Sequence, residues 1–130
     1  MKSIRAIALG LAVVAGLGVP TIAGGSSAAG MWEIENGEAR YEVRYCGTGF
    51  ELCAKLQWVR ADVADNLNYR NYLGRDVAAQ LRPVGPAEWR GKVTLDGQTV
   101  NGYVKLVDSQ ELSVTGCKFI FCETVSMFRI

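Results

Sequence analysis

The 130-residue chain contains no histidine. That absence removes the commonest general base, and with it the usual Ser-His and Cys-His nucleophile arrangements. A zinc site would lack imidazole ligands, and no two cysteines stand in the C-x-x-C spacing used by metal sites and thioredoxin-like redox pairs. No apolar run reaches the ~20 residues a helix needs to cross a bilayer. A basic field is missing as well. The chain has 14 Lys+Arg against 13 Asp+Glu, so nucleic acid is not an expected partner. Internal repeats and low-complexity segments are absent after the first thirty residues.

Those thirty residues, "MKSIRAIALGLAVVAGLGVPTIAGGSSAAG", are unlike the rest. Lys2 and Arg5 precede an apolar stretch from Ala6 to Val19, and small residues follow. A basic head, a short apolar segment and a small-residue exit read as a secretory signal peptide over residues 1–29. Cleavage after Ala23 puts Thr21 and Ala23 at the −3 and −1 positions; cleavage after Ala29 is the alternative. Without Lys2 and Arg5, 12 cationic residues remain against 13 acidic ones, a net charge of −1. Residues 30–130 are expected to form one exported domain, periplasmic or secreted, with no membrane span once the signal is removed. A chain of that size builds one modest core and gains from covalent staples.

The four cysteines, Cys46, Cys53, Cys117 and Cys122, all lie in that domain. An even count in an oxidising compartment reads as disulfides. Zinc would have to be held by all four thiolates; no metal and no cofactor are expected. Strand patterning chooses among the three pairings. "ARYEVRY" alternates Tyr41, Val43 and Tyr45 with Arg40, Glu42 and Arg44, and "AKLQWV" alternates Ala54, Leu56 and Trp58 with Lys55 and Gln57, the period of half-buried strands. Cys46 ends the first run and Cys53 opens the second. "LSVTGCKFIFCETVSMF" repeats the arrangement, so Cys46 is expected to pair with Cys53 and Cys117 with Cys122.

Asn36-Gly37 and Asp96-Gly97 mark tight hairpin turns. Eight strands are predicted near 31–35, 38–46, 53–60, 75–82, 88–95, 98–107, 110–117 and 121–130. Residues 62–74 read as a long loop with one helical turn, and Pro83 and Pro86 as a break before the fifth strand. Eight short antiparallel strands in chain order are most economically closed into an up-and-down barrel, which removes both sheet edges. A two-sheet sandwich is the competing all-β solution.

Catalysis is not expected. The carboxylate pairs Glu33 with Glu35, Asp62 with Asp65 and Glu38 with Glu42 fall on alternating strands or polar loop, where solvated surface is the default. "GTGFE" lacks the lysine and Ser/Thr of a phosphate loop. Two functional readings remain. In the first, the barrel holds a small apolar or amphipathic ligand lined by Trp32, Tyr41, Tyr45, Trp58 and Trp89, residues that would otherwise simply fill the core. In the second, the protein is a cell-envelope interaction or inhibitor module that contacts a protein partner through the 62–74 loop, rich in Asn, Arg and Tyr.

Several segments together resemble a known family. They are Trp32 before a short hairpin, Cys46-Gly47…Leu52-Cys53-Ala54-Lys55-Leu56-Gln57-Trp58, the loop residues Asp65-Asn66, Trp89-Arg90-Gly91-Lys92-Val93, and Leu112-Ser113-Val114-Thr115-Gly116-Cys117…Cys122-Glu123-Thr124 with Arg129. In this pattern the chain resembles the domain of unknown function 2147 family of small exported bacterial proteins. It looks like a divergent member, with Ala54, Leu67 and Met127 where glycine, proline and tryptophan are usual. The resemblance implies a lipocalin- or calycin-like barrel outside the cytoplasm and brings no established activity with it.

Overall fold

A computed structural model describes residues 27–130. The leader expected over residues 1–29 therefore lies, except for its last three residues, outside the described part. Eight strands follow in chain order: β1 Gly30–Ile34, β2 Ala39–Cys46, β3 Glu51–Val59, β4 Asp76–Gly85, β5 Glu88–Leu95, β6 Gln98–Asp108, β7 Glu111–Lys118 and β8 Phe121–Arg129. Each pairs antiparallel with its neighbour. β8 then returns to β1 through Trp32↔Arg129, Glu33↔Phe128 and Ile34↔Met127, closing the sheet into a barrel. The up-and-down barrel is the fold; the sandwich is not.

Period-2 alternation decides which side chains fill the cylinder. Val104, Leu106, Leu112, Val114 and Met127 point inward and are buried, while Lys92, Asn101, Lys105 and Thr124 stand on the outer wall. Small residues make room at the crowded side of the barrel. A Cβ on Gly102 would fall 2.5 Å from the Val93 methyls, and one on Gly116 would fall 2.5 Å from Leu95 Cδ1. The two glycines face each other across β6 and β7, so Val93 and Leu95 occupy the space their side chains would have taken.

The even and odd connections gather at opposite ends. One end carries the Asn36-Gly37 turn, the long β3–β4 connection, the Asp96-Gly97 turn and the Phe119-Ile120 turn. The other carries both termini of the described chain. The long connection holds a 3₁₀ turn, Ala61–Val63, and one helical turn, α1 Leu67–Arg70. Asn66 caps α1, its side chain accepting from the Asn68 amide at 2.9 Å.

Two expectations about strands are corrected. β4 does not break at Pro83 but runs on to Gly85, with Pro83 opposite Trp89. Its pairing with β3 has ended by then at Leu81↔Leu52, so the missing N–H of Pro83 leaves no ladder bond unmade. β3 carries a bulge, since Tyr41 pairs with Leu56 while the adjacent Arg40 pairs with Trp58. Gln57 is the extra residue, and every position after it changes face.

Both disulfides are local, Cys46–Cys53 with Cα atoms 6.0 Å apart and Cys117–Cys122 with Cα atoms 4.0 Å apart. The second joins directly opposed residues of β7 and β8. The first runs diagonally, since Cys53 lies opposite Arg44 and Cys46 opposite Glu51. On the chain-entropy argument each closed loop contributes roughly 2 to 2.5 kcal/mol. Replacing Cys117 and Cys122 together by serine is therefore expected to lower the urea-unfolding free energy by about 2 kcal/mol without changing the far-UV circular dichroism of the native state.

Candidate functional site

The five aromatic residues expected to line one ligand site do not converge. Trp32 is fully buried at the terminus-bearing end, where its indole N–H donates to the Ala28 carbonyl at 2.9 Å. The Arg129 guanidinium lies 4.3 Å from its ring centroid. Trp89 is buried too, donating to the Phe50 carbonyl at 2.9 Å. Tyr45 sits at the rim of that same end, its ring edge-on to Phe50 and its hydroxyl 3.4 Å from the Ala28 amide. Trp58 is on the outer wall. The bulge at Gln57 turns it outward, where the Arg40 guanidinium stacks 4.3 Å from its ring centroid. The reading that put Trp58 on the inner face is corrected on this point. Tyr41, although opposite Trp32 in the β1–β2 register, faces the other end of the barrel, near which Trp58 also lies on the outside.

The interior itself is filled. The apolar space between Tyr41, Val43, Leu81, Val104 and Met127 amounts to about 40 Å³. Small-molecule sites occupy ~300–1,000 Å³. A fatty acid or similar cargo does not fit there.

A larger cleft of about 270 Å³ opens at the end opposite the termini. Leu56, Val77, Leu95 and Val125 line its floor, and Tyr41 and Tyr69 stand on its wall. Glu35, Glu38, Asp96 and Glu123 share the lining with the neutral polar Asn36, Asn66, Asn68 and Thr94, and it contains no lysine or arginine. Distant elements bring these carboxylates together. Glu35 accepts from the Ser126 amide at 2.7 Å, and Glu38 accepts from the Tyr69 hydroxyl at 2.8 Å. The second bond ties the long connection to the β1–β2 turn, and Tyr72 reaches Gly97 from the same segment. Tyr41 is 9% exposed, and its hydroxyl has no hydrogen-bond partner among the described residues. Burial, then the negative charges of Asp96 and Glu38, push its pKa up to about 12. Burial first, then its bond to Glu38, also raises that of Tyr69.

Two of the three carboxylate pairs considered from the sequence are separated. Glu33 pairs with Arg40 on the outer wall while Glu35 faces the cleft. Glu42 accepts from Gln57 on the outer wall while Glu38 faces the cleft. Asp62 is held by Arg60, whose hydrogen bond keeps its carboxyl below the usual carboxylate range. No group of three or more Cys, Asp or Glu side chains is placed to hold a metal ion among the described residues.

A second feature borders the cleft. Phe119, Ile120 and Phe121, at the tip of the β7–β8 hairpin, are 89%, 88% and 75% exposed. Phe119 takes a left-handed backbone conformation, φ 59°, and the Cys117–Cys122 bond closes the hairpin immediately behind the tip. The sequence showed this run only as part of a strand pair. Its exposure follows from its place at the turn, where Phe119 and Ile120 lie between the last paired residues, Lys118 and Phe121.

The profile of the family described as "Uncharacterized protein conserved in bacteria (DUF2147)" matches residues 30–129. The chain belongs to that family. No curated protein matches the sequence. Among solved structures, a redesigned β-barrel is similar at 13% identity and a TM-score of 0.43, over 78% of this chain and 90% of that one.

Two expectations follow from the placements. Trp32→Ala should cost roughly 3 to 5 kcal/mol in urea denaturation, because it empties a buried site. Trp58→Ala should cost about 1 kcal/mol, the scale of an exposed cation–π contact. The raised Tyr41 pKa also has a stability consequence. The unfolded phenol ionises near 10 and the folded one only near 12, so the unfolded state loses its proton first as pH rises. Stability present below pH 10 is therefore lost between about pH 10 and 12, on the order of 2–3 kcal/mol from this residue. Tyr41→Phe should remove that part of the alkaline loss, measured by urea titrations across the range.

Proposed function

We propose that this protein is a non-catalytic, exported interaction module of the bacterial envelope that docks a protein partner through the apolar tip of its β7–β8 hairpin. The carrying observation is the run Phe119-Ile120-Phe121, three consecutive large apolar side chains each at least three-quarters exposed. Soluble surfaces avoid such patches unless they are contact sites. Ordering a flexible tip on binding would cost conformational entropy, and the disulfide behind it reduces that cost in advance. The long β3–β4 connection at the same end adds exposed Leu67 and Leu73, which keeps part of the 62–74 surface in the proposed face.

Charge favours a protein over a lipid surface. The cleft beside the tip presents Glu35, Glu38, Asp96 and Glu123, and anionic bilayers repel such a rim. The barrel wall does not suit a membrane interior either, since it carries charged residues such as Arg44, Arg90, Lys92 and Lys105 on its outside. No described helix is long and apolar enough to cross a membrane. Two disulfides support an oxidising compartment, periplasmic or extracellular. The lack of histidine supports a non-catalytic role. The filled interior weighs against the apolar carrier.

A photo-crosslinking residue at position 120, in protein expressed in its own cell envelope, tests this reading. A single protein adduct at Ile120, absent when the crosslinker replaces Ser113 on the outer wall, is the expected result. Phe119→Ser with Phe121→Ser should reduce it about tenfold, the scale of removing aromatic anchors, with unchanged thermal stability. Lipid adducts alone, or only the dimer of this chain, would count against a protein partner.

A further inference from the structure

We propose that the cleft at the open end of the barrel binds an alkylammonium group, the positively charged end of an aliphatic amine. The site is independent of the docking tip. It rests on the joint presence of four carboxylates, an apolar floor and a largely buried tyrosine whose hydroxyl has no protein partner among the described residues.

The carboxylates come first. Glu35, Glu38, Asp96 and Glu123 share one cleft with no cation in its lining. The ion pairs among the described residues join Arg40 to Glu33, Arg44 to Asp76 and Arg60 to Asp62, so none of the four is neutralised by a neighbour within ion-pair distance. Like charges gathered this way oppose folding, and a bound cation would relieve that repulsion. An acidic cluster alone would be surface decoration. Tyr41 makes it a site. The residue is only 9% exposed and lines the same cleft, and its hydroxyl meets no protein donor or acceptor among the described residues. A buried polar group left unpaired costs stability that a ligand hydrogen bond would recover. Tyr41, Asp96 and Glu38 line the same cleft.

The shape and chemistry of the lining specify the ligand class. The carboxylates are not close enough for three to share a metal ion, so a cation that also uses the apolar floor, with a charged head and a methylene tail, suits the cleft better than a bare ion. Leu56, Val77, Leu95 and Val125 offer methylenes a dry surface. An ammonium can donate three hydrogen bonds, to the Tyr41 hydroxyl oxygen and to carboxylates around it. A volume of about 270 Å³ takes a short aliphatic amine, either free or as the lysine side chain of a partner.

Nuclear magnetic resonance titration of the full oxidised protein tests the site with hexylammonium, 1-hexanol and Nα-acetyl-lysine amide. Hexylammonium should shift the amides of Tyr41, Asp96 and Glu123 saturably, with 1-hexanol about tenfold weaker. Asp96→Asn with Glu123→Gln should weaken hexylammonium about tenfold. Both residues are exposed, and Asn tolerates the left-handed backbone at position 96 (φ 50°), so the fold should survive. Tyr41→Phe should weaken the amine severalfold without lowering thermal stability below pH 10, since no protein hydrogen bond is lost. Comparable binding by the lysine amide would assign the site to a partner's side chain; binding by hexylammonium alone would assign it to a free amine. The absence of saturable shifts, equal affinity for 1-hexanol, or indifference to the carboxylate variants would each overturn the proposal.

Discussion

The barrel depends on the seam where β8 meets β1. Every other pair of neighbours is joined by a turn or a single connection, but this one brings together strands from opposite ends of the domain over only three register pairs. Arg129 holds it. Its guanidinium stacks on Trp32, and its nitrogens donate to the carbonyls of Ser27, Ala29 and Ser109. One side chain thus binds the last strand, the first strand, the segment before it and the β6–β7 turn. The charge is largely satisfied by hydrogen bonds to carbonyls, which lets a cation sit against a buried indole without an acidic partner.

The two ends of the cylinder differ because of what the seam gathers. At the terminus-bearing end, Trp32, Trp89, Tyr45 and Arg129 close the opening with aromatic rings and backbone acceptors. At the other end the aromatic residues lining the cleft are tyrosines and its rim is acidic. Large rings fill the first end and leave the second accessible, so any chemistry toward solvent is concentrated where the long β3–β4 connection and the β7–β8 tip also lie.

Much of this architecture was legible in the chain. Alternation located eight strands to within one to three residues at their ends, and the cysteine positions at strand ends gave both disulfides, because each of these signals is local. Trp58 was misplaced for an equally definite reason. Ala54, Leu56 and Trp58 alternate without interruption, and nothing in "AKLQW" announces that Gln57 is an inserted bulge residue; pairing with Arg40 and Tyr41 decides it. The cleft was invisible because Glu35 and Glu38, Asp96, and Glu123 come from two separate turns and from β8. The pairs suggested by proximity in sequence, such as Glu38 with Glu42, instead fall on opposite sides of the wall. Pro83 misled because its penalty depends on whether a neighbour strand needs its N–H, and β3 has already begun beyond that point.

The segment just before β1 links architecture to maturation. Ala28 is fully buried, its carbonyl receives the Trp32 indole, and the carbonyls on either side of it receive Arg129. A leader peptidase cutting after Ala23 would leave these acceptors in place. A cut after Ala29 would remove all three and create an α-ammonium at Gly30, a residue so close to the guanidinium that even a Cβ there would fall 2.6 Å from Arg129 Nη1. Two positive charges would then meet where one had been satisfied. Closure of the barrel would thus favour the expected cut after Ala23 over the alternative after Ala29.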